Sequence, residues 1–310
     1  MTDTPIVSAV IIFCNEEEYL EEAVTSVFDQ TYDNWELILV DDGSTDASTE
    51  LAERLAASRP DRVRCLHHPG RQRKGMSASR NLGVAAARGR YIAYLDADDR
   101  WLPEKLSSQI ELIERHVEAA VVCGPLILWR SWTGRPEDAD GLYGTHGDGF
   151  ELATNRLYEP PELVAEFIRH KDLVPSGALF HRSAFVDVGG ADETFTDNYE
   201  DAVVFAKIGL RYPIYCADRS WYLYRQYPGP VEASQRGRTR PDADRLRGDA
   251  ARLVFLRWVE NHLAEEMVDD PRLIAALHDA RRQIEHPHRH RIRRGLHRRV
   301  DRLVQRVPRG

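Results

Sequence analysis

Residues 7–13, VSAVIIF, are almost continuously apolar and β-branched, which is how a strand covered on both faces of a parallel sheet reads. A helix is expected next, with Asn15 as a candidate cap and Leu20, Ala23, Val24 and Val27 recurring at helical spacing. Residues 35–40 form a second apolar strand, and Asp41-Asp42-Gly43-Ser44-Thr45-Asp46 is a polar turn into a helix through Leu51, Leu55 and Ala56. The pattern repeats with a strand at 63–66, a Gly- and Arg-rich loop, a helix at 77–87 and a strand at 91–95. This alternation implies βαβ units, right-handed crossovers and a parallel sheet between helices. Ligands of such sheets sit outside the carboxyl ends of the strands. Asp41/Asp42 and Asp96/Asp98/Asp99 fall at those ends, so two acidic groups are expected to converge on one crevice.

The second half is less regular. A helix is expected at 103–116, one or two strands at 119–132, and a surface loop at 134–149, where Gly and acidic residues crowd together. A helix at 162–170, a strand at 178–180, a helix at 201–210 and strands at 214–216 and 221–225 follow. Beyond Pro241 the pattern is helical: Leu246, Ala250, Leu253, Val254 and Trp258 share one face, Leu273, Ala276, Leu277 and Ile284 another. Ile292, Leu296, Val300, Leu303 and Val307 then form a narrow apolar stripe among arginines.

Composition narrows the function classes. No run approaches the roughly 18 to 20 apolar residues of a membrane span. The first basic residue is Arg54, so a secretory signal is not expected. Cys14, Cys65, Cys123 and Cys216 stand far apart in sequence, without a C-x-x-C pair, and read as reduced, buried fillers of a cytoplasmic protein. The net charge is -8, but it is unevenly placed. Residues 281–310 hold eleven Arg against Glu285 and Asp301, a local +9, which leaves -17 for the first 280.

Asp96-Ala97-Asp98-Asp99 sets three carboxylates at a strand exit, a costly grouping unless something positive binds there. A hard divalent cation, Mn2+ or Mg2+, suits such oxygen donors. Alternatively, one Asp caps the next helix and the others are solvated. Asp41 and Asp42 can accept hydrogen bonds from a ribose or base, or simply build a strand-to-helix turn. From local sequence Glu200-Asp201 reads as the acidic start of a helix. The first strand is followed by Cys14-Asn15-Glu16-Glu17-Glu18, not by the glycines a dinucleotide needs, and no phosphate-binding P-loop occurs. His286-Pro287-His288-Arg289-His290 reads as solvated turn residues rather than a metal site. His67-His68 reads as loop.

Taken in order, residues 7–15, Ser26-Val27-Phe28-Asp29-Gln30-Thr31-Tyr32, residues 35–46, residues 75–83 with Ala78-Ser79-Arg80-Asn81, and Tyr94-Leu95-Asp96-Ala97-Asp98-Asp99 resemble the family 2 glycosyltransferases of GT-A fold. Pro175-Ser176-Gly177, Arg182, Gly189-Gly190-Ala191-Asp192-Glu193 and Glu200-Asp201 extend the resemblance to about residues 6–230. It implies a GT-A-like α/β catalytic domain over 1–230 with a mostly parallel sheet, a helical extension over 231–285, and a basic amphipathic tail over 286–310.

The resemblance also implies roles. Phe13, Asn15, Glu16, Asp41, Asp42, Arg80 and Asp96 would bind the nucleotide-sugar, with Asp42 and its neighbour Asp41 on base and ribose and Arg80 on base or diphosphate. Asp98, with Asp96, would hold Mn2+ or Mg2+ bridging the diphosphate. Asp201 would be the catalytic base of an inverting displacement, with Glu200 and Arg182 on the acceptor side. A UDP-, GDP- or dTDP-sugar is the expected donor, and a saccharide or lipid-linked hydroxyl the expected acceptor. This chain departs from the family at Ile12 and Cys14, where Pro and Tyr are common. It departs again at Tyr227, which stands where a metal- or diphosphate-binding His is often found. The Gln-x-x-Arg-Trp motif of processive relatives is absent, so transfer of one sugar is expected.

Residues 289–306 have the pattern of an Arg-rich helix suited to an anionic membrane surface, or of a stripe packing on the acidic body. Nucleic acid is not an expected partner, because the tail lacks interleaved aromatics. Two other functions stay open: a sugar nucleotidyltransferase, which should carry a Gly-rich basic loop after the first strand, and a catalytically dead scaffold.

Overall fold

The computed structural model describes residues 4–144, 146–147, 150–170, 177–196, 198–227 and 241–285. Its elements run β1 (Val7–Phe13), α1 (Leu20–Phe28), β2 (Trp35–Asp41), α2 (Ser48–Ser58), β3 (Val63–His67), α3 (Met76–Ala86), β4 (Tyr91–Asp96), β5 (Arg100–Trp101) and α4 (Lys105–Arg115). The second half runs β6 (Val121–Cys123), β7 (Leu126–Trp129), β8 (Gly141–Tyr143), β9 (His146–Gly147), β10 (Phe150–Glu151), β11 (Arg156–Tyr158), α5 (Glu162–Arg169), β12 (Leu179–His181), α6 (Arg182–Asp187), α7 (Glu200–Gly209), β13 (Ile214–Cys216) and β14 (Tyr222–Arg225). Two helices close the described chain, α8 (Pro241–Glu265) and α9 (Pro271–Glu285).

The main sheet has eight strands in the order β11-β13-β6-β12-β4-β1-β2-β3. Its first half, β4-β1-β2-β3, is parallel, as the continuous apolar runs require. In the second half β12 runs antiparallel to both β4 and β6, and β11 antiparallel to β13. A smaller sheet, β5-β14-β7-β8, stands beside the carboxyl end of β4.

Every residue of β1 is buried, and alternate residues serve two cores. Val7, Ala9, Ile11 and Phe13 join α1 and α4, while Val10 and Ile12 join α3, α5 and α7. Each fully buried Val, Ile or Leu contributes roughly 1.5–3 kcal/mol, so β1 and the equally buried β2 anchor the sheet. Gly83 lets α3 lie close on it: a Cβ there would come within 2.5 Å of Val10 Cγ1. The closing helices do not stand apart. Phe255, Leu256, Val259, Leu273, Ala276 and Leu277 belong to the same apolar cluster as α5 and α7, and Arg252 donates to the Ile168 carbonyl at the end of α5 (3.1 Å).

Several sequence expectations are corrected. Residues 134–149 are not simply a loop, because Leu142 and its neighbours pair with β7 as β8. The two-residue β5, β11 and α6 were not expected; each is too short to show a period. Asn15 does not cap α1, whose cap position is Tyr19 with no side-chain bond; Asn15 has φ 60° and reaches the next loop instead. Cys123 and Cys216, distant in sequence, are register partners on β6 and β13, and Cys14 and Cys65 are only half-buried. His67 ends β3, and His68 is buried against Ser79 Oγ (2.8 Å). The tail at 286–310, with its histidines and apolar stripe, lies outside the described residues.

Candidate active site

The parallel register fixes the crevice. Phe13 pairs with Asp41 and Ile12 with Asp96, so the two acidic turns flank the end of β1, two strand spacings or roughly 9–10 Å apart. Asp41 is spent on its own turn. It accepts from Ser44 N–H (2.8 Å) and the Thr49 hydroxyl (2.6 Å); burial raises its pKa, but these bonds outweigh that and hold it below the usual value. Asp42 accepts from the N–H groups of Lys74 (2.6 Å) and Gly75 (3.0 Å), clamping the loop that opens α3. A base or ribose donor would share those oxygens. Asn15 Oδ1 accepts from Thr45 N–H (2.7 Å) and Glu16 N–H donates to Ser48 Oγ (2.8 Å), so both join the first loop to the second.

The Asp96 turn closes with Asp99 N–H on the Asp96 carbonyl (3.1 Å). Asp98 is 8% exposed and accepts the Tyr227 hydroxyl at Oδ2 (2.9 Å). Asp99 is fully buried; burial first, then the charges of Asp98 and Asp96, push its pKa well up. Burial likewise raises Asp96, with Arg80 opposing and Asp98 and Asp201 adding to the rise. These three acids therefore repel one another across a partly dry floor.

Arg80 joins the two halves of the site. It projects from α3, is 4% exposed, and donates to Glu200 Oε1 (2.5 Å) and Asp96 Oδ1 (3.2 Å). Burial opposes its charge, but Glu200 and Asp96 outweigh this and keep it protonated. Glu200 is raised by its own burial, with Arg80 pulling back and Asp201 and Asp96 pushing further. Glu200 and Asp201 open α7, after Tyr199 turns the chain at φ 64°. Neither acid occupies the cap position, although Asp201 Oδ1 accepts from Ala202 N–H (2.7 Å). The remaining α3 side chains fix the same loop: Ser77 Oγ donates to the Phe195 carbonyl (2.6 Å), and Asn81 Nδ2 to that of Ala191 (3.0 Å).

The structure thus brings together Asp96, Asp98, Arg80, Glu200 and Asp201. It does not bring Phe13, whose side chain is in the core and whose carbonyl accepts from Asp42 N–H (2.9 Å). Arg182 is elsewhere. Antiparallel β12 carries it to the amino end of β4, where His181 pairs with Tyr91 and Arg182 Nε donates to the Gly89 carbonyl (3.0 Å), roughly 15 Å or more from Asp96 along the strand. Sequence reading missed Arg225, Tyr222 and Glu22, which brace the Asp96 turn from β14 and α1; an Arg inside the aromatic run 221–227 was the available signal.

Among the described residues no three His, Cys, Asp or Glu side chains cage a metal by themselves. The donor set nonetheless fits a hard divalent cation. Asp96 and Asp98 offer carboxylate oxygens, burial first and then the neighbouring charge of Asp98 raise the proton affinity of Asp96, and such ions are commonly completed by phosphate oxygens.

Residues 8–189 match the sequence model of Glycosyl transferase family 2. The chain is 38% identical to the glycosyltransferase EpsE of Bacillus subtilis (strain 168) over 122 residues, 39% of this chain and 43% of that one. It is 35% identical to the teichuronic acid biosynthesis glycosyltransferase TuaG of the same organism over 109 residues, 35% of this chain and 42% of that one. The match thus spans less than half of either relative's length. Among solved structures, S. aureus TarS 1-349 superposes with a TM-score of 0.54 at 20% identity, over 71% of this chain and 60% of that one. Mannosyltransferase PcManGT from Pyrobaculum calidifontis, in complex with GDP-Man and Mn2+, gives 0.57 at 17%, over 91% and 70%. These likenesses carry the GT-A fold, and with the family match over 8–189 the chain belongs to glycosyl transferase family 2.

Proposed function

We propose that the protein moves one sugar, with inversion, from a nucleotide-diphospho-sugar to a hydroxyl of a saccharide or lipid-linked acceptor, in the synthesis of a cell-surface glycan or glycolipid. The observation that carries this reading is Arg80, which ties Asp96 on the donor side to Glu200 beside Asp201. TarS in complex with UDP-GlcNAc and PcManGT in complex with GDP-Man and Mn2+ support a nucleotide-sugar donor and a divalent cation here.

In this mechanism Asp201, half-buried at the head of α7, accepts the acceptor hydroxyl proton. The freed oxygen attacks the anomeric carbon from the face opposite the leaving group, and the bond from that carbon to the diphosphate oxygen breaks with its electron pair. Asp98 and Asp96 would hold Mn2+ or Mg2+, which supplies neutralising charge to the departing diphosphate. Glu200, paired with Arg80 of α3, fixes the start of α7. Asp41 and Asp42 set the two loops that would border the base, and Asn15 and Glu16 stitch the first of them.

The test is a thermal-shift screen of UDP-, GDP- and dTDP-sugars with Mn2+ or Mg2+, followed by two substitutions. Asp201→Asn should stop transfer with donor binding nearly intact, and Asp98→Ala should abolish metal-dependent donor binding. Normal turnover by either variant sinks the assignment.

A further inference from the structure

We infer that Tyr227 is a positioning residue for Asp98, its phenol hydroxyl fixing the carboxylate that takes the divalent cation. The inference rests on the glycosyl-transfer reading of Asp98 above. It begins with Arg225, the last residue of β14. Its backbone N–H donates to Asp99 Oδ1 (2.8 Å) and its side-chain Nε to the Asp98 carbonyl (2.6 Å), while Nη2 pairs with Glu22. Its guanidinium carbon lies 4.4 Å from the ring centroids of Tyr19 and Trp129 and 4.9 Å from that of Trp132. At 2% exposure, with two side-chain polar contacts and three aromatic walls, this side chain is tightly held. The backbone of the Asp98–Asp99 turn is therefore clamped from outside.

The clamp extends one step along the strand. Gln226 N–H continues the pairing onto the Trp129 carbonyl (3.0 Å), so the chain stays extended, and residues two apart share a face. Tyr227 accordingly points where Arg225 points. Its ring is packed between Tyr19 (5.9 Å, tilted) and Trp132 (5.9 Å, edge-on), and Trp132 is itself pinned by Nε1 donating to the Gln226 carbonyl (2.8 Å). A rigid aromatic socket thus delivers one hydroxyl to Asp98 Oδ2. Turn and side chain are held separately, the first by Arg225 and the second by Tyr227.

A protonated phenol donates to a carboxylate rather than competing with it for a cation. Tyr227 consequently orients Asp98 from the outer shell, a contribution whose loss typically weakens metal affinity 10- to 100-fold. The same hydroxyl would do nothing for Asp201, so its effect belongs to cation binding and not to proton transfer.

The discriminating variant is Tyr227→Phe in the full chain, which removes one oxygen and keeps the ring in its socket. Mn2+ binding is followed by the EPR signal of free Mn2+ with UDP or GDP present, alongside thermal unfolding without metal. The expected result is Mn2+ affinity weakened by about tenfold or more, metal-free melting close to the parent's, no tyrosinate absorption on adding Mn2+ to the parent, and kcat recovering at saturating Mn2+ while the Mn2+ requirement rises. A role confined to packing would lower metal-free stability and leave the Mn2+ requirement unmoved. Equal Mn2+ affinity in variant and parent overturns the inference alone, and a tyrosinate band makes Tyr227 a direct ligand and overturns it equally. A parent that binds no Mn2+ with either nucleotide overturns the metal assignment of Asp98, and the inference with it.

Discussion

Lys105 is the sharpest test of the packing described above, because the structure buries its ammonium completely at the start of α4. Burial lowers its pKa from 10.5 to about 7. Its Nζ donates to Gln109 Oε1 (2.5 Å) and lies 4.5 Å from the Trp101 ring centroid. A folded pKa below the unfolded one means that the unfolded chain binds the extra proton, so this group's contribution to stability rises with pH between about 7 and 10.5. The full gap is worth about 5 kcal/mol, and about 4 kcal/mol of it is felt at pH 7. Trp101 returns up to about 2 kcal/mol to the charged form. Lys105→Met removes the penalty and keeps the volume, at the expense of an orphaned Gln109 oxygen worth about 1 kcal/mol. The variant should therefore be about 1–3 kcal/mol more stable than the parent near pH 7, and about 1 kcal/mol less stable once pH passes about 10.5. Urea unfolding of both proteins across this range measures the crossing. A variant that is less stable at neutral pH, or a difference that stays flat with pH, refutes the reasoning.

Arg80→Met should cost about 3–5 kcal/mol, because it strands Glu200 beside Asp96 and Asp201 in a buried setting; adding Glu200→Gln should recover part of that in the same urea assay. Removal of residues 286–310, which carry the basic charge of the chain's end, should lower the fraction that floats with anionic liposomes in high-speed centrifugation, and an unchanged fraction would leave packing on the acidic body as the reading of that segment.

The half of the fold that obeys one period was legible from sequence. Residues 7–13 alone indicate a strand buried on both faces, and β1 has those bounds and that burial. The second half changes strand direction at β12, and nothing in Leu179-Phe180-His181 encodes direction, so motif order alone does not show that Arg182 lies at the amino end of β4 while Glu200 lies near Asp96 through Arg80. Arg80 was legible as a site residue through the resemblance, but not its partner, since an ion pair across 120 residues leaves no local trace. Asp41 and Asp42 show the converse: an acidic strand end that reads equally as turn and as ligand here has both carboxylates engaged by turn and loop donors.

Helix α3 gives the chain an indivisibility that its repeating βαβ start conceals. Met76, Ser77, Arg80 and Asn81 bond to Thr196, Phe195, Glu200 and Ala191, so the first hundred residues carry, in one helix, the mould for the loop that presents Asp201. Exchanging first-half and second-half segments between relatives therefore cannot be done at the midpoint of the chain. A working chimera must carry α3 together with residues 190–201, whichever parent supplies the rest.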